Sequence, residues 1–316
     1  MDPYRVATIT LLKDAAATAI YGSRASNGVV VITTVAPAGG KMSVSYNGDM
    51  TFYAADLTDY NLCNAEEKLN LEVLSGMYDI SKRLHYTQDK FSDKVYMDEA
   101  YNQRLANVRE GVNTYWLDKP LNNVTLAHKH SLRLDGGNDY IRYAMEVNYN
   151  NTPGVMKESG RERIGLGMEL QYIYKGLTFR NQLNYSRVKA KNSPYGSFSK
   201  YTEVNPYERA YDEMGRCIKR LSNGEANPVF DATLNNVNKS KSTSFNDNFD
   251  FEWYIVEGIR LTGRFAYTYG TTHSDVFVSP KSSQFEDQQD DKDKGSYDYS
   301  SSSTHSMDGN IVVNAW

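Results

Sequence analysis

The residue types that most often carry chemistry are sparse in this sequence and poorly spaced for it. The five histidines are His85, His128, His130, His273 and His305. No serine, cysteine or carboxylate stands around them at a spacing that would make a nucleophile and its base. His128 and His130 share one face of a strand and could in principle clamp a metal, but two polar groups near the start of a strand are much the simpler reading. Cys63 and Cys217 are too far apart for a cysteine-rich zinc site, which needs close pairs of thiolates, and both are read as unpaired thiols in long loops. Asp290, Asp291 and Asp293 invite a calcium site but lack the Asp-x-Asp-x-Asp-Gly order of a calcium loop. Gly22, Gly28, Gly39 and Gly40 form no phosphate-cradling motif. The sequence therefore predicts no enzyme, no metal and no cofactor.

Composition narrows the class. The chain has 316 residues with 25 Tyr against 11 Phe and 3 Trp, and its hydrophobic fraction is 40%. A formal charge of −4 gives no overall basic field for nucleic acid, so nucleic acid is not an expected partner. The longest aliphatic run, Val29 to Ile32, is far short of the roughly 20 apolar residues of a membrane helix. The opening MDPYRVATITLL shows no basic region followed by an apolar stretch and a cleavage site, so no secretory signal is read there.

From Lys41 onward the chain alternates. Val44, Tyr46, Met50 and Phe52 fall on one face of a strand and Ser43, Ser45, Asn47, Asp49 and Thr51 on the other. The pattern returns at Ile141–Tyr149, Ile164–Tyr172, Leu177–Tyr185, Phe245–Trp253 and Ile259–Tyr269, and more weakly before Gly136 and from about Ser302 to Trp316. The resulting eight or so strands are long for a soluble sheet and suit a tilted crossing of a bilayer. Tight turns at Gly136–Asp139, Tyr174–Gly176 and Val256–Gly258 alternate with long segments, among them 55–125, 189–242 and 272–301. Short turns on one side and long loops on the other is the layout of an outer-membrane barrel. Tyr149, Tyr172, Tyr185, Trp253, Tyr267 and Tyr269 lie at or near strand ends, where interfacial aromatics are expected. A soluble β-sandwich also alternates, but Arg142, Glu146, Glu169, Arg180 and Arg264 on the opposite face count against it.

Two stretches of the first long loop read as helices, Ala65 to Tyr78 behind Asn64 with Glu66 and Glu67 in the first turn, and Asp93 to Glu110. Near the N-terminus, residues 6–34 depart from the strand pattern: a helix-like run from Lys13 to Ala19, a turn at Gly22-Ser23-Arg24, Asn27-Gly28, and a β-branched strand from Val29 to Thr34.

That segment, LLKDAAATAIYGSRASNGVVVITT, resembles the end of the plug domain of SusC/RagA-type TonB-dependent outer-membrane transporters. The residues carrying the likeness are Lys13, Asp14, Tyr21, Gly22, Arg24, Asn27 and Gly28. Asn113-Thr114-x-Trp116 followed by Pro120-Leu121 resembles the family's Asn-Thr-Asp-Trp stretch, with Tyr115 where Asp is usual. The turn before Tyr140 resembles its Ser-Gly-Gly turn, with Asp135 in place of Ser, and Asn227-Pro228-Val229-Phe230 also fits. The resemblance implies a mainly β fold: residues 1–40 as the end of a plug, a short α/β remnant, and residues 41–316 as about eight strands of an antiparallel up-and-down sheet, part of a transmembrane β-barrel with long extracellular loops. An internal piece of a longer transporter is expected, with an open curved sheet and not a closed pore.

What the resemblance implies about function is import of a large nutrient, a glycan or oligosaccharide or else a peptide, across the outer membrane of a Gram-negative bacterium. The implied partners are a SusD-like surface lipoprotein, the TonB complex and outer-membrane lipid. Trp116, Tyr195, Tyr201 and Tyr207 are candidates for stacking on a sugar. The competing readings are a small self-contained outer-membrane barrel or adhesin, for which Trp316 would be the terminal aromatic, and a soluble carbohydrate-binding sandwich.

Overall fold

The structure, a computed structural model, describes residues 6–13, 28–79 and 90–316. Of the plug-like motif, Asp14, Tyr21, Gly22, Arg24 and Asn27 therefore lie outside the described residues, as does most of the expected Lys13–Ala19 helix. Two strands precede the main sheet: β1 (Val6–Leu12) and β2 (Val29–Thr34) pair antiparallel as a separate two-stranded sheet. The second was expected and the first was not, because VATITLL is too short to show a period. Gly28 opens β2 at φ +96°, and a Cβ there would sit 3.0 Å from the Leu12 carbonyl, so only glycine is comfortable at this place in the motif. Lys13 is exposed.

The remaining strands form a single eight-stranded sheet in strict sequence order, every neighbour antiparallel: β3 (Gly40–Tyr53), β4 (Thr125–Gly137), β5 (Ile141–Pro153), β6 (Gly160–Tyr174), β7 (Leu177–Lys191), β8 (Val237–Val256), β9 (Ile259–Val278) and β10 (Ser296–Ala315). This is the expected up-and-down sheet, and β3 and β10 are its two unpaired edges, so the sheet is open. Among the described residues no helix is long and apolar enough to cross a membrane. Turns are short at one end. Lys175 (φ 43°) and Gly176 (φ 80°) make the β6–β7 reversal with both central residues left-handed, as a tight hairpin that follows the strand twist requires. At β4–β5 the Asn138 side chain accepts from the backbone N–H of Tyr140 and Ile141.

The two faces of this sheet are inverted relative to a soluble protein. Met50 is 68% exposed, Phe52 70%, Met145 49%, Met168 45% and Ile311 71%, whereas Glu146 is 4% and Glu169 1% exposed on the opposite face. Register extends the apolar face across the strands: Leu132 pairs with Val147, Met145 with Met168, Leu166 with Tyr185, Phe249 with Phe265 and Tyr267 with Met307. An apolar surface this continuous is stable only against lipid or another protein. Asn181 and Asp247 interrupt it and satisfy one another by a 2.6 Å hydrogen bond. The opposite face carries the ion pairs Arg180–Glu169 at 2.7 Å and Arg264–Asp250 at 2.6 Å. It also receives the small sheet: Arg180 and Gln182 donate to the Thr34 hydroxyl of β2 at 3.3 and 3.4 Å.

Several strands run past their expected ends. β8, β9 and β10 each reach 20 residues, roughly twice a tilted bilayer crossing of about 9–11 residues. The extra length is Ser- and Thr-rich, as in Ser240, Ser242 and Thr243 against Ser274, Thr272 and Thr271, and its hydrogen-bond ladder continues without a register shift. Polar β-formers extend the hairpins beyond the apolar band, where alternation of polarity no longer marks them.

Lysine at Met168, facing outward in mid-band, should destabilise the sheet in detergent micelles or lipid by about 2–4 kcal/mol, whereas lysine at the inward Asn248 should cost less than about 1 kcal/mol. Denaturant unfolding of M168K and N248K reads the difference. Equal losses would mean that the apolar face does not meet lipid.

Candidate functional site

Apart from Ala127 and Ala144, the buried apolar residues among the described residues lie outside the sheet, in the long loops at the end opposite the tight turns. Loop 54–124 contributes α1 (Ala65–Leu74) and α2 (Lys90–Arg109), close to the two expected helices. α1 starts where the sequence placed it: the Asn64 side chain accepts from the Glu67 N–H and the Glu67 carboxylate accepts from the Asn64 N–H, a reciprocal cap.

The Asn113-Thr114-x-Trp116 stretch ties this loop to loop 192–236. The Asn113 side chain accepts from the Ala65 N–H at the start of α1, the Thr114 hydroxyl donates to the Glu208 carbonyl, and the Trp116 indole donates to the Asn205 carbonyl at 3.0 Å. None of these bonds uses the side chain of residue 115, which explains how Tyr115 can stand where Asp is usual. Asn227 does equivalent work inside loop 192–236. It is 1% exposed, donates to the carbonyls of Ala210 and Ile218, and accepts from the Val229 N–H, so the Asn-Pro-Val-Phe motif is a folding clamp.

Trp116, Tyr195, Tyr201 and Tyr207 are brought together in this assembly. Trp116, Leu117, Tyr201, Ala210, Leu221 and Val229 form one buried cluster, with Tyr195 packed against it. Tyr207 belongs to a second, with Ala65 and Leu69. Trp116 is 2% exposed, Tyr201 1% and Tyr207 0%, so the faces of these rings are covered by the loops themselves. Tyr201 donates its hydroxyl within the assembly, to the carbonyls of Tyr195 and Pro228, both at 3.0 Å. Tyr195 is partly buried and borders a cavity of about 680 Å³ whose wall includes Asn192, Asn223, Asn236, Asn238 and Asp231. Trp116 and Tyr201 also border a smaller cavity of about 410 Å³ beside Asn64 and Asn113. The amide-rich wall comes from residues scattered over loop 192–236 and β8, a grouping that no local spacing reveals.

Between α1, α2 and loop 192–236 sits a buried carboxylate. Glu72, 5% exposed, accepts from the Tyr78 hydroxyl at 2.7 Å, the Tyr207 hydroxyl at 2.9 Å and Arg104 at 3.3 Å, while the Arg104 guanidinium lies over the rings of both tyrosines. Burial, with the bond to Glu72, pushes the Tyr78 phenol up to about 12, and Tyr207 is pushed up by the same two causes. Both therefore stay protonated donors at neutral pH. Sequence reading missed Glu72, whose place on a helix looked like an ordinary solvated charge.

The other loops are tied in the same way. Lys157 N–H donates to the Pro120 carbonyl, the Ser193 hydroxyl to the Lys157 carbonyl, and Ser283 through both N–H and hydroxyl to Asp231. Glu286 pairs with Lys219 at 2.7 Å and Arg220 at 2.5 Å, and the Lys219 bond holds its carboxyl below the usual range. Elsewhere, His128 and His130 lie 3.2 Å apart on the outward face beside Tyr46, and among the described residues no group of three potential ligands could hold a metal. Asp290 caps a short turn by accepting from the Lys292 N–H, and Lys294 pairs with Asp291 at 2.6 Å. Cys63 and Cys217 are free thiols. The Trp316 ring is exposed, and the residue's backbone N–H donates to the Gly258 carbonyl.

An open antiparallel sheet with an apolar outward face, an ionic inner face and a compact loop assembly at one end has the fold of part of a TonB-dependent receptor barrel. No protein-family model matches the chain. It is 25% identical over 310 residues to the TonB-dependent receptor SusC of Bacteroides thetaiotaomicron, an alignment covering 89% of this chain and 28% of that protein. It is 25% identical over 287 residues to the TonB-dependent receptor P3 of Formosa agariphila, covering 87% of this chain and 26% of that one. The fold superposes on the structure of the RagAB peptide transporter with a TM-score of 0.69 at 17% identity, covering 97% of this chain and 37% of that one. The chain is thus similar to SusC/RagA-type TonB-dependent receptors, and it spans about a quarter of the length of the curated relatives it matches. Those relatives are receptors and transporters, not enzymes.

Glu286 has a depressed folded-state value, so its bonds to Lys219 and Arg220 contribute above the ordinary carboxylate value of 4.5 and are lost as pH falls through the lower folded value. Protection of segment 279–295 from hydrogen exchange, taken relative to the intrinsic rate at each pH, should fall over that acid window and do so less in E286Q. A segment whose exchange is equally pH-sensitive in both proteins would remove Glu286 from this role.

Proposed function

We propose that this chain is the end of a plug, residues 1–40, and the adjoining barrel strands with their extracellular loops, residues 41–316, of an outer-membrane importer in a Gram-negative bacterium. The observation that carries the membrane reading is the inverted sheet, with Met145, Met168 and Ile311 outward and Glu146 and Glu169 inward. The whole protein takes up a large nutrient, captured together with a SusD-like surface lipoprotein and moved by energy from the TonB complex.

An oligosaccharide is the favoured cargo. The cavity beside Tyr195, with its asparagine-rich wall, offers amide donors and acceptors and an aromatic edge, the groups that suit hydroxyl-dense ligands. A peptide is the other cargo class. The β2 hairpin fits a plug role because Thr34 accepts from Arg180 and Gln182 on the inner face, which is where a plug must sit. Two observations disfavour the competing readings. A self-contained eight-stranded barrel needs closure, and β3 does not pair with β10. A soluble sandwich needs a second sheet over the apolar face, and the two-stranded sheet lies on the ionic face instead.

Deleting the gene that encodes the chain should abolish growth of its host on an oligomeric nutrient while leaving growth on the corresponding monomers intact, and loss of TonB should reproduce the defect. Growth on oligosaccharides and on oligopeptides, measured in parallel, distinguishes the cargo classes. A deletion strain that grows normally on both would overturn the import reading.

A further inference from the structure

On the outward face, β7 to β9 turn from apolar to polar beyond one row, while β5 and β6 run on with Tyr149 and Ile164. Val147, Leu166, Tyr185, Phe245, Tyr269 and His305 stand side by side across β5 to β10. Two residues further toward the loops, about 7 Å along the strand, β7 presents Arg187, and then Lys189 and Lys191 on the same face. On β8 the corresponding outward positions are Thr243, Lys241 and Lys239. The register sets Lys189 directly opposite Lys241 and Lys191 directly opposite Lys239. Like charges directly opposed across an antiparallel pair destabilise it, and here two such pairs follow one another with no bulge to part them.

All four lysines are exposed, and they border a concavity of about 880 Å³ whose floor includes Ser240 and Gly160. The groups facing them are known. Glu162 lies 3.8 Å from Lys189 and Glu158 2.9 Å from Lys191, Asp275 stands opposite Lys239 and accepts from Tyr297, and His273 stands opposite Lys241 and within 2.9 Å of the Tyr299 hydroxyl. Arg187, Lys189, Lys191, Lys239 and Lys241 thus outnumber the three carboxylates. Arg187 is half-buried, and its Nε has no hydrogen-bond partner. The cluster begins one step beyond the Tyr185–Phe245 row with Arg187 and continues over the next two steps with the lysine pairs, on the lipid side of the sheet, where headgroups follow acyl chains.

We propose that this shelf docks the phosphate groups of anionic lipid in the outer leaflet, the opposed lysine pairs being neutralised by phosphate oxygens while acyl chains lie along Tyr185, Phe245 and Tyr269. Charge complementarity and continuity with the apolar band together select a phosphorylated lipid over a soluble anion, because only a lipid gains from both surfaces. The inference rests on the membrane reading above.

The test inserts the whole protein that contains this chain, in which β3 and β10 are paired, into phosphatidylcholine nanodiscs carrying diphosphorylated lipid A or its dephosphorylated form, and counts retained lipid by native mass spectrometry. Taking about fivefold per cation near a membrane surface, the wild type should retain the phosphorylated form at least tenfold more. The variant with Lys189→Gln, Lys191→Gln, Lys239→Gln and Lys241→Gln should lose that preference, the four-arginine variant should keep it, and R163Q, one residue away on the inner face, should not change it. In neutral lipid the glutamine variant should unfold at equal or higher denaturant than the wild type, since it relieves like-charge repulsion, and this separates lost binding from lost folding. A whole protein that inserts into neutral discs but shows no phosphate preference would overturn the shelf and leave the membrane reading standing. A whole protein that fails to insert would overturn both, and equal retention by the glutamine variant, or full competition by millimolar inorganic phosphate, would overturn the shelf alone.

Discussion

The hydrogen-bond ladder of the eight-stranded sheet is the constraint from which the rest follows. A polypeptide in hydrocarbon must satisfy each backbone N–H and C=O within the protein, and here neighbouring strands do so over long registers, with irregularities recorded only near Gly40–Ser43 and Tyr254–Val256. Once backbone polarity is satisfied, side chains are free to sort by face. Lipid takes Met145, Leu166 and Met168, and the ionic residues are left to the interior, where Arg180 and Glu169 or Arg264 and Asp250 satisfy one another. On the proposed membrane reading, the sheet needs no apolar core because its solvent on one side is already apolar.

The loops have the opposite problem. They stand outside the band, cannot borrow lipid, and must make their own core from few apolar residues. They do so by crossing over one another: the indole of Trp116 reaches the Asn205 backbone, Tyr207 reaches Glu72 on α1, and Ser283 reaches Asp231. Tyrosine suits this task better than phenylalanine, since each ring fills volume and its hydroxyl consumes a buried acceptor. Tyr201 and Tyr207 are fully buried in that role, which accounts for part of the chain's unusual tyrosine content.

The sheet was legible in the sequence because a two-residue period with one apolar face is a local signal, and all eight strands fall where that period was read. Their outer ends were not, since the Ser- and Thr-rich extensions of β8, β9 and β10 carry no contrast between faces. The first loop helix was legible from Asn64 and the acidic first turn of Glu66 and Glu67 behind it. The amide-lined cavity and the Glu72 hub were not, because they join residues distant in sequence, as Glu72 and Tyr207 are. The Asn113–Trp116 and Asn227–Phe230 stretches were recognised as motifs without a reason, and the structure supplies one in the backbone groups they hold.

The two edges of the sheet complete the argument. β3 carries Met42, Val44, Tyr46, Met50 and Phe52 outward and β10 carries Met307, Ile311 and Val313, so both edges are embedded in the apolar band. An edge strand in water can leave its backbone groups to the solvent, but one in hydrocarbon cannot, at a cost of several kcal/mol for each unsatisfied group. Neither edge is shortened, bent away or interrupted by proline, as a strand protected from pairing would be. On the membrane reading proposed above, both edges are therefore surfaces that call for a pairing partner, and neither carries a device to refuse one.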